Sequence, residues 1–210
     1  QTLNQNTQAA TAQIVLDEAL TRILIDAELT AAGWQADSEL LTYKNGTRPE
    51  ERKNIAIAEW PTLYKGEKGR ADYVLFAGLT PIAVVEAKRE NINVAGKIAQ
   101  AERYSQGFSV LPPLVGAWEI AGQTIAWADA SDGHYKVPFV YSCNGRPYVP
   151  QLAEQSGTWF RDARHASNTK RALQSFHTPA GLIDLLKRSK EDAEKKLKTE
   201  PFGYLKLREY

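Results

Sequence analysis

Two apolar runs joined by a short turn constrain this chain more than any other feature. Asp72-Tyr-Val-Leu-Phe76 reads as one β-strand and Ile82-Ala-Val-Val-Glu-Ala-Lys88 as a second, with Ala77-Gly-Leu-Thr-Pro81 as the turn between them. Apolar side chains occupy both parities of both runs, so each strand needs cover on both faces. A sheet covered on two sides requires helices. The spacing from Ala12 to Ala32 predicts one, with Leu16, Leu20, Ile23, Leu24, Ala27 and Ala31 as its apolar face and Gly33 as its C-cap. Residues 94–108 predict a second helix. Thr178-Pro179 opens a third, running to about Lys198, apolar early and charged late. Ile55–Trp60 predicts a further strand ended by Pro61, with residues 44–53 before it as an exposed loop. Thr124–Ala128 and Phe139–Ser142 are further short runs. The expected class is mixed α/β, a central mixed sheet flanked by helices.

Pairing the two runs about Leu79 places Phe76 opposite Ile82, Val74 opposite Val84 and Asp72 opposite Glu86. Directly opposed residues share a face at about 4.5–5.5 Å between Cβ atoms. Lys88, two residues beyond Glu86, points to that face too. Two carboxylates brought this close repel each other. The remedies are a raised pKa, a cationic partner or a bound metal. Two hard oxygen donors beside a lysine suit Mg²⁺, which takes one or two carboxylates, several waters and a phosphate oxygen. Water activated beside Lys88 could then attack a phosphodiester. Gln100 and Tyr104, four residues apart, share one face of the following helix and offer an amide and a phenol to a phosphate or base. An end-of-strand Glu86–Lys88 charge pair is the alternative reading of the same residues.

In this arrangement the chain resembles the PD-(D/E)XK nucleases: Asp72, Glu86-Ala-Lys88, then Gln100-Ala-Glu-Arg-Tyr104. More narrowly it resembles the N-terminal nuclease domain of the R subunit of type I restriction enzymes. Asp17–Arg22 through Ala32-Gly-Trp34, Gly69–Phe76, Ile82–Arg89, Asn144–Tyr148, Ser156–Phe160 and Thr178–Leu182 all look like segments of that family, and Tyr204–Tyr210 resembles the lead-in to its ATP-driven motor. The family's leading Pro is Ala71 here. The resemblance implies a restriction-endonuclease-like core over residues 1–180, with 181–210 forming a charged helix and the approach to a motor outside this chain. It implies that Asp72 and Glu86 hold Mg²⁺, that Lys88 serves the attacking water and the phosphate, and that Gln100 and Tyr104 position the strand or brace the site. Glu18 on the first helix is a candidate third carboxylate or, alternatively, an i,i+4 partner of Arg22.

The implied partners are double-stranded DNA, the motor domains of the same subunit, and modification and specificity subunits. No G-x-x-x-x-G-K-[ST] loop is present, so ATP would serve only the motor. The competing readings are a recombination-type exonuclease or junction resolvase, and a non-catalytic DNA clamp or assembly module of the same fold.

Composition narrows the alternatives. Of 210 residues, 26 are basic and 25 acidic, so wholesale coating of nucleic acid by charge is excluded. The charge is uneven: residues 1–40 carry six acidic side chains against Arg22 alone, and residues 161–210 carry twelve basic against seven acidic. Attraction to phosphate is therefore expected from the later chain. One cysteine, Cys143, and three scattered histidines leave no disulfide and no zinc pattern. No apolar run approaches the ~20 residues of a membrane span, and the polar, Gln-rich start is no signal peptide. These point to a reducing, cytoplasmic setting without a membrane partner, and the resemblance implies a bacterial or archaeal source. The absence of methionine, even at position 1, suggests a piece or processed form of something longer.

Overall fold

A computed structural model describes residues 18–128, 133–188 and 190–199. Its centre is a seven-stranded mixed sheet in the order β1-β2-β3-β4-β7-β8-β9. β2 (Asn54–Tyr64), β3 (Glu67–Ala77) and β4 (Thr80–Ala87) form an antiparallel meander, while β7 (Phe139–Cys143) runs parallel to β4. β8 (Thr158–Asp162) and β9 (Arg171–Ala172) extend that side, and β1 (Gln35–Ala36) pairs parallel with β2. β5 (Trp127–Ala128) and β6 (His134–Tyr135) make a separate two-stranded ribbon. This is the expected mixed α/β class, a curled mixed sheet flanked by helices, consistent with a restriction-endonuclease-like core.

The two-sided cover expected of the central runs is present. Alternate residues of β3 and β4 enter two cores. Tyr73, Leu75, Ala83 and Val85 face a core shared with α1 (residues 18–31), α3 (Ala117–Ile120) and α4 (Pro179–Lys187). Val74, Phe76 and Val84 face the other, shared with Ile98 and Ala101 of α2 (Ile98–Gln106) and with Phe108. All of these are fully buried or nearly so. Each such aliphatic side chain contributes about 1.5–3 kcal/mol on leaving water.

Several details differ from the sequence expectation. Tyr73, Val74 and Leu75 pair with Val85, Val84 and Ala83 as expected, but Phe76 pairs with Pro81, not Ile82. The turn is the two-residue Gly78-Leu79, with Gly78 at φ +61, and Ile82 is the extra residue of a bulge. The bulge turns Ile82 into the first core and restores the register in time for the Asp72 and Glu86 positions.

β2 continues through Pro61 to Tyr64 instead of stopping. β1 and Thr42 pair β2 only as far as Ala58, so Pro61 lies where β2 has no partner on that side and its missing N–H costs nothing. α1 ends where expected. Gly33, at φ +92, donates to Thr30 and Trp34 donates to Leu29, the double bond of a Schellman cap. Its buried face, however, is Thr21, Ile25, Leu29 and Ala32, whereas Leu20, Ile23 and Leu24 are exposed. Two apolar stripes lie side by side on this helix, and spacing alone does not say which meets the sheet; Leu16 lies outside the described residues. The last helix divides at Arg188, whose ψ of 122 is extended, into α4 and α5 (Lys190–Thr199). Leu182 and Leu186 of α4 are core residues. Tyr204–Tyr210 lies outside the described residues.

Candidate active site

Where β4 finishes against the middle of β3, the sheet opens into a cleft of about 440 Å³. Glu18, Asp72, Glu86, Lys88, Gln100 and Tyr104 all line it. Parity explains the grouping. Asp72 lies on the face of Val74 and Phe76, Glu86 and Lys88 on the face of Val84, and α2 covers that face.

The Asp72 carboxylate accepts the Ala87 backbone N–H at 2.8 Å through Oδ2, which ties the middle of β3 to the end of β4 beyond their last regular pair. Its other oxygen accepts from Arg22 Nη2 at 3.3 Å. Glu86 is fully buried; its Oε1 is held by the Lys88 ammonium, its ion-pair partner, and its Oε2 finds no hydrogen-bond partner. Burial pushes the Glu86 carboxyl up to about 7, and the negative charge of Asp72 pushes the same way while Lys88 opposes both. Asp72 is also raised, by burial outweighing the Ala87 N–H, Arg22 and Lys88.

α2 is aimed by β7. Ser142 Oγ donates to the Val94 carbonyl at 2.6 Å, and the buried Asn144 side chain donates to the carbonyls of Glu90 and Ile92. These bonds pin the segment between Lys88 and the helix, so the strand that pairs with β4 also fixes where α2 starts. At the far end Gly107 passes against β2, where a Cβ would meet the Leu63 carbonyl carbon at 2.9 Å. Within α2, Gln100 Nε2 donates to the Tyr104 hydroxyl at 2.7 Å. Burial raises the Tyr104 phenol, and the charges of Glu86 and Asp72 add to it.

Three cleft or neighbouring residues, Thr21, Lys97 and Glu59, went unassigned in the sequence, and a fourth, Arg22, was expected to pair with Glu18. Arg22 is paired with Asp72 and, at 3.8 Å, with Glu59 instead of Glu18. The signal for it was its isolation as the one basic residue among the first forty. Thr21 and Lys97 line the cleft. Glu59 faces Asp72 by count across β2 and β3 and adopts φ +57, a left-handed conformation that interrupts the ladder between Ala58 and Trp60. It was visible only as one charged residue inside the apolar run from Ile55 to Trp60. Replacing Arg22 with alanine strips Asp72 of its guanidinium donor, and a loss of about 1–2 kcal/mol in a urea unfolding titration is expected. An unchanged midpoint would show that Arg22 is a spectator.

The donor chemistry fits a hard divalent cation. Asp72 and Glu86 offer oxygen ligands in one cleft, and the unpartnered Glu86 Oε2 is the kind of buried atom that a cation relieves. Among the described residues, no group of three or more His, Cys, Asp and Glu side chains converges as a metal site, so Glu18 borders the cleft without completing a three-carboxylate set. His177 is occupied with the Tyr141 hydroxyl at 2.6 Å. Cys143 is buried. Phe160 is a core residue and Trp159 donates to the Ser156 carbonyl. Among the described residues no helix is long and apolar enough to cross a membrane.

Comparison with known proteins decides the family. Residues 35–186 match the family profile described as the second domain of the type I restriction enzyme EcoKI endonuclease subunit. The chain belongs to that family. The type I restriction enzyme EcoKI endonuclease subunit of Escherichia coli (strain K12) is 43% identical over 192 residues, which cover 85% of this chain and 16% of the relative. No solved structure matches. The matched span runs from β1 into α4 and so includes the whole sheet and every strand and α2 residue of the cleft. This is a domain of a type I restriction enzyme endonuclease subunit, and it spans about a sixth of that relative's length.

Proposed function

We propose that the chain is the Mg²⁺-dependent DNA endonuclease domain of a type I restriction R subunit, of the PD-(D/E)XK class. Its substrate is double-stranded DNA, cut after translocation by motor domains of the same subunit. One observation carries the reading: two carboxylates, Asp72 and the buried Glu86, line one cleft at the end of β4, with Lys88 ion-paired to Glu86. A fold selected for stability alone gains nothing from such a pair.

Asp72 and Glu86 hold the cation. When bound, Mg²⁺ supplies charge against the phosphate oxygens. Lys88 orients the attacking water and balances charge at the phosphate. Gln100 and Tyr104, locked to each other, position the strand. Arg22 balances the charge of Asp72. Target choice rests with the modification and specificity subunits, ATP is used by the motor, and the complex works in the cytoplasm of a bacterium or archaeon.

The test is Mg²⁺ titration calorimetry on the wild type, Asp72→Ala and Glu86→Ala, with and without a short duplex. A binding heat in the wild type that both variants lose is expected. No wild-type binding under either condition would favour the non-catalytic clamp.

A further inference from the structure

A second, larger hollow of about 1180 Å³ lies along the outer part of the β2–β3 hairpin, walled by the 43–49 segment and residues 109–114. Four cations line it, Lys44, Arg48, Lys68 and Arg70, against one carboxylate, Glu59. In a chain of net charge +1 that is a local excess, and it comes from residues 44–70 instead of the basic C-terminal region. Lys44 and Lys68 are exposed. The floor is apolar, including Leu63 and Leu111, which are 56% and 67% exposed. Arg48 is the built part of the groove. Its guanidinium lies 3.7 Å from the Tyr43 ring centroid, and Nη1 donates to the carbonyls of Tyr43 and Thr47 at 3.0 and 2.7 Å. An arginine fixed over an aromatic ring by two carbonyls offers a preorganised guanidinium on which a base stacks.

The groove abuts the catalytic cleft. Glu59, which lines the groove, is paired through Arg22 to Asp72. Gly69 lines it too, and a Cβ there would lie 3.3 Å from Tyr104 Cε1. A chain leaving the cleft past Tyr104 therefore enters the groove. Duplex phosphates need a cationic rim but no apolar floor. An unpaired strand uses both, with phosphates on the lysines and bases on Arg48 and the leucines. We infer that this groove holds a single-stranded stretch of DNA continuous with the strand at the cleft, which rests on the nuclease reading for its direction but not for its binding chemistry.

The test is fluorescence anisotropy of a labelled short oligothymidylate, in EDTA and at ~0.1 M salt, so that no cleavage enters. The probes are the wild-type chain, the double variant Lys44→Glu/Lys68→Glu, and Arg48→Lys. The double variant should lose at least about tenfold in affinity, with an unchanged circular-dichroism melt because both lysines are exposed. Arg48→Lys keeps the charge and removes the plane, so it should weaken binding by about tenfold with little change in salt dependence. The wild type should also prefer the single strand to a duplex of the same length. Unaltered oligonucleotide affinity in the variants overturns the inference, as does equal loss for single strand and duplex. Binding of labelled polyglutamate with no oligonucleotide binding overturns it in favour of an acidic protein segment. Because binding is read without metal, failure of the Mg²⁺ titration leaves this result intact.

Discussion

Asp72→Ala and Glu86→Ala are each expected to cut DNA at least about a hundredfold more slowly than wild type when placed in the full-length subunit with its partner subunits. The two residues are not redundant. Asp72 is braced by Arg22 and the Ala87 N–H; Glu86 is fully buried, with Lys88 as its ion-pair partner. Losing either leaves a single anionic ligand, and with it one half of the charge that holds a divalent cation. The fold should survive both changes. Removing one carboxylate abolishes the repulsion that burial makes costly, which offsets the lost Arg22 and Ala87 contacts or the small cavity left at Glu86. The measurement is plasmid cleavage beside ATP hydrolysis on the same preparations. On the proposed reading, in which ATP serves a motor outside this domain, ATP hydrolysis should continue. A variant cutting at the wild-type rate would sink the site assignment.

The sheet's centre was legible because burial on both faces writes itself into composition: β3 and β4 show apolar residues at both parities, and only a two-layered cover satisfies that. The cleft was legible for the same reason, since a register read from a hairpin places Asp72, Glu86 and Lys88 together without knowledge of the rest. What the local pattern could not reach was tertiary choice. On α1 two apolar stripes compete, and the sheet accepted Ile25 and Leu29 while Leu20 and Leu24 stayed out. The bulge at Ile82 depends on how a two-residue turn twists, not on hydrophobicity. Arg22 and Glu59 lie fifty and thirteen residues from Asp72 and reach it only through folding. Asn144 and Ser142 looked like ordinary strand-end residues, yet they set the position of α2 by bonding to carbonyls some fifty residues away.

The buried carboxyl makes stability itself a reporter. Glu86 titrates near pH 7 in the folded chain and near 4.5 when unfolded. Between those values the folded state holds a proton that the unfolded state has released, so stability falls as pH rises from about 4.5 to 7 and is flat beyond. Asp72, raised as well, acts in the same direction. His177 acts oppositely: burial holds its pKa down, so its contribution grows as pH rises through the usual imidazole range. The contrast with Glu86→Gln isolates the carboxyl. In EDTA, the wild type should be less stable at pH 8 than at pH 5 by an amount attributable to Glu86 of about 1–3 kcal/mol, and Glu86→Gln should flatten that slope. Urea midpoints across the range measure both. On the proposed reading Mg²⁺ should reverse the trend, because a cation held by the deprotonated pair stabilises the folded state most where the carboxyls are charged. The wild-type midpoint should therefore rise with Mg²⁺ at pH 8 and scarcely at pH 5, and the rise should vanish in Glu86→Gln. Parallel pH slopes for wild type and Glu86→Gln would mean that the Glu86 carboxyl is ionised at little cost, and that the strain which makes it a metal ligand is absent.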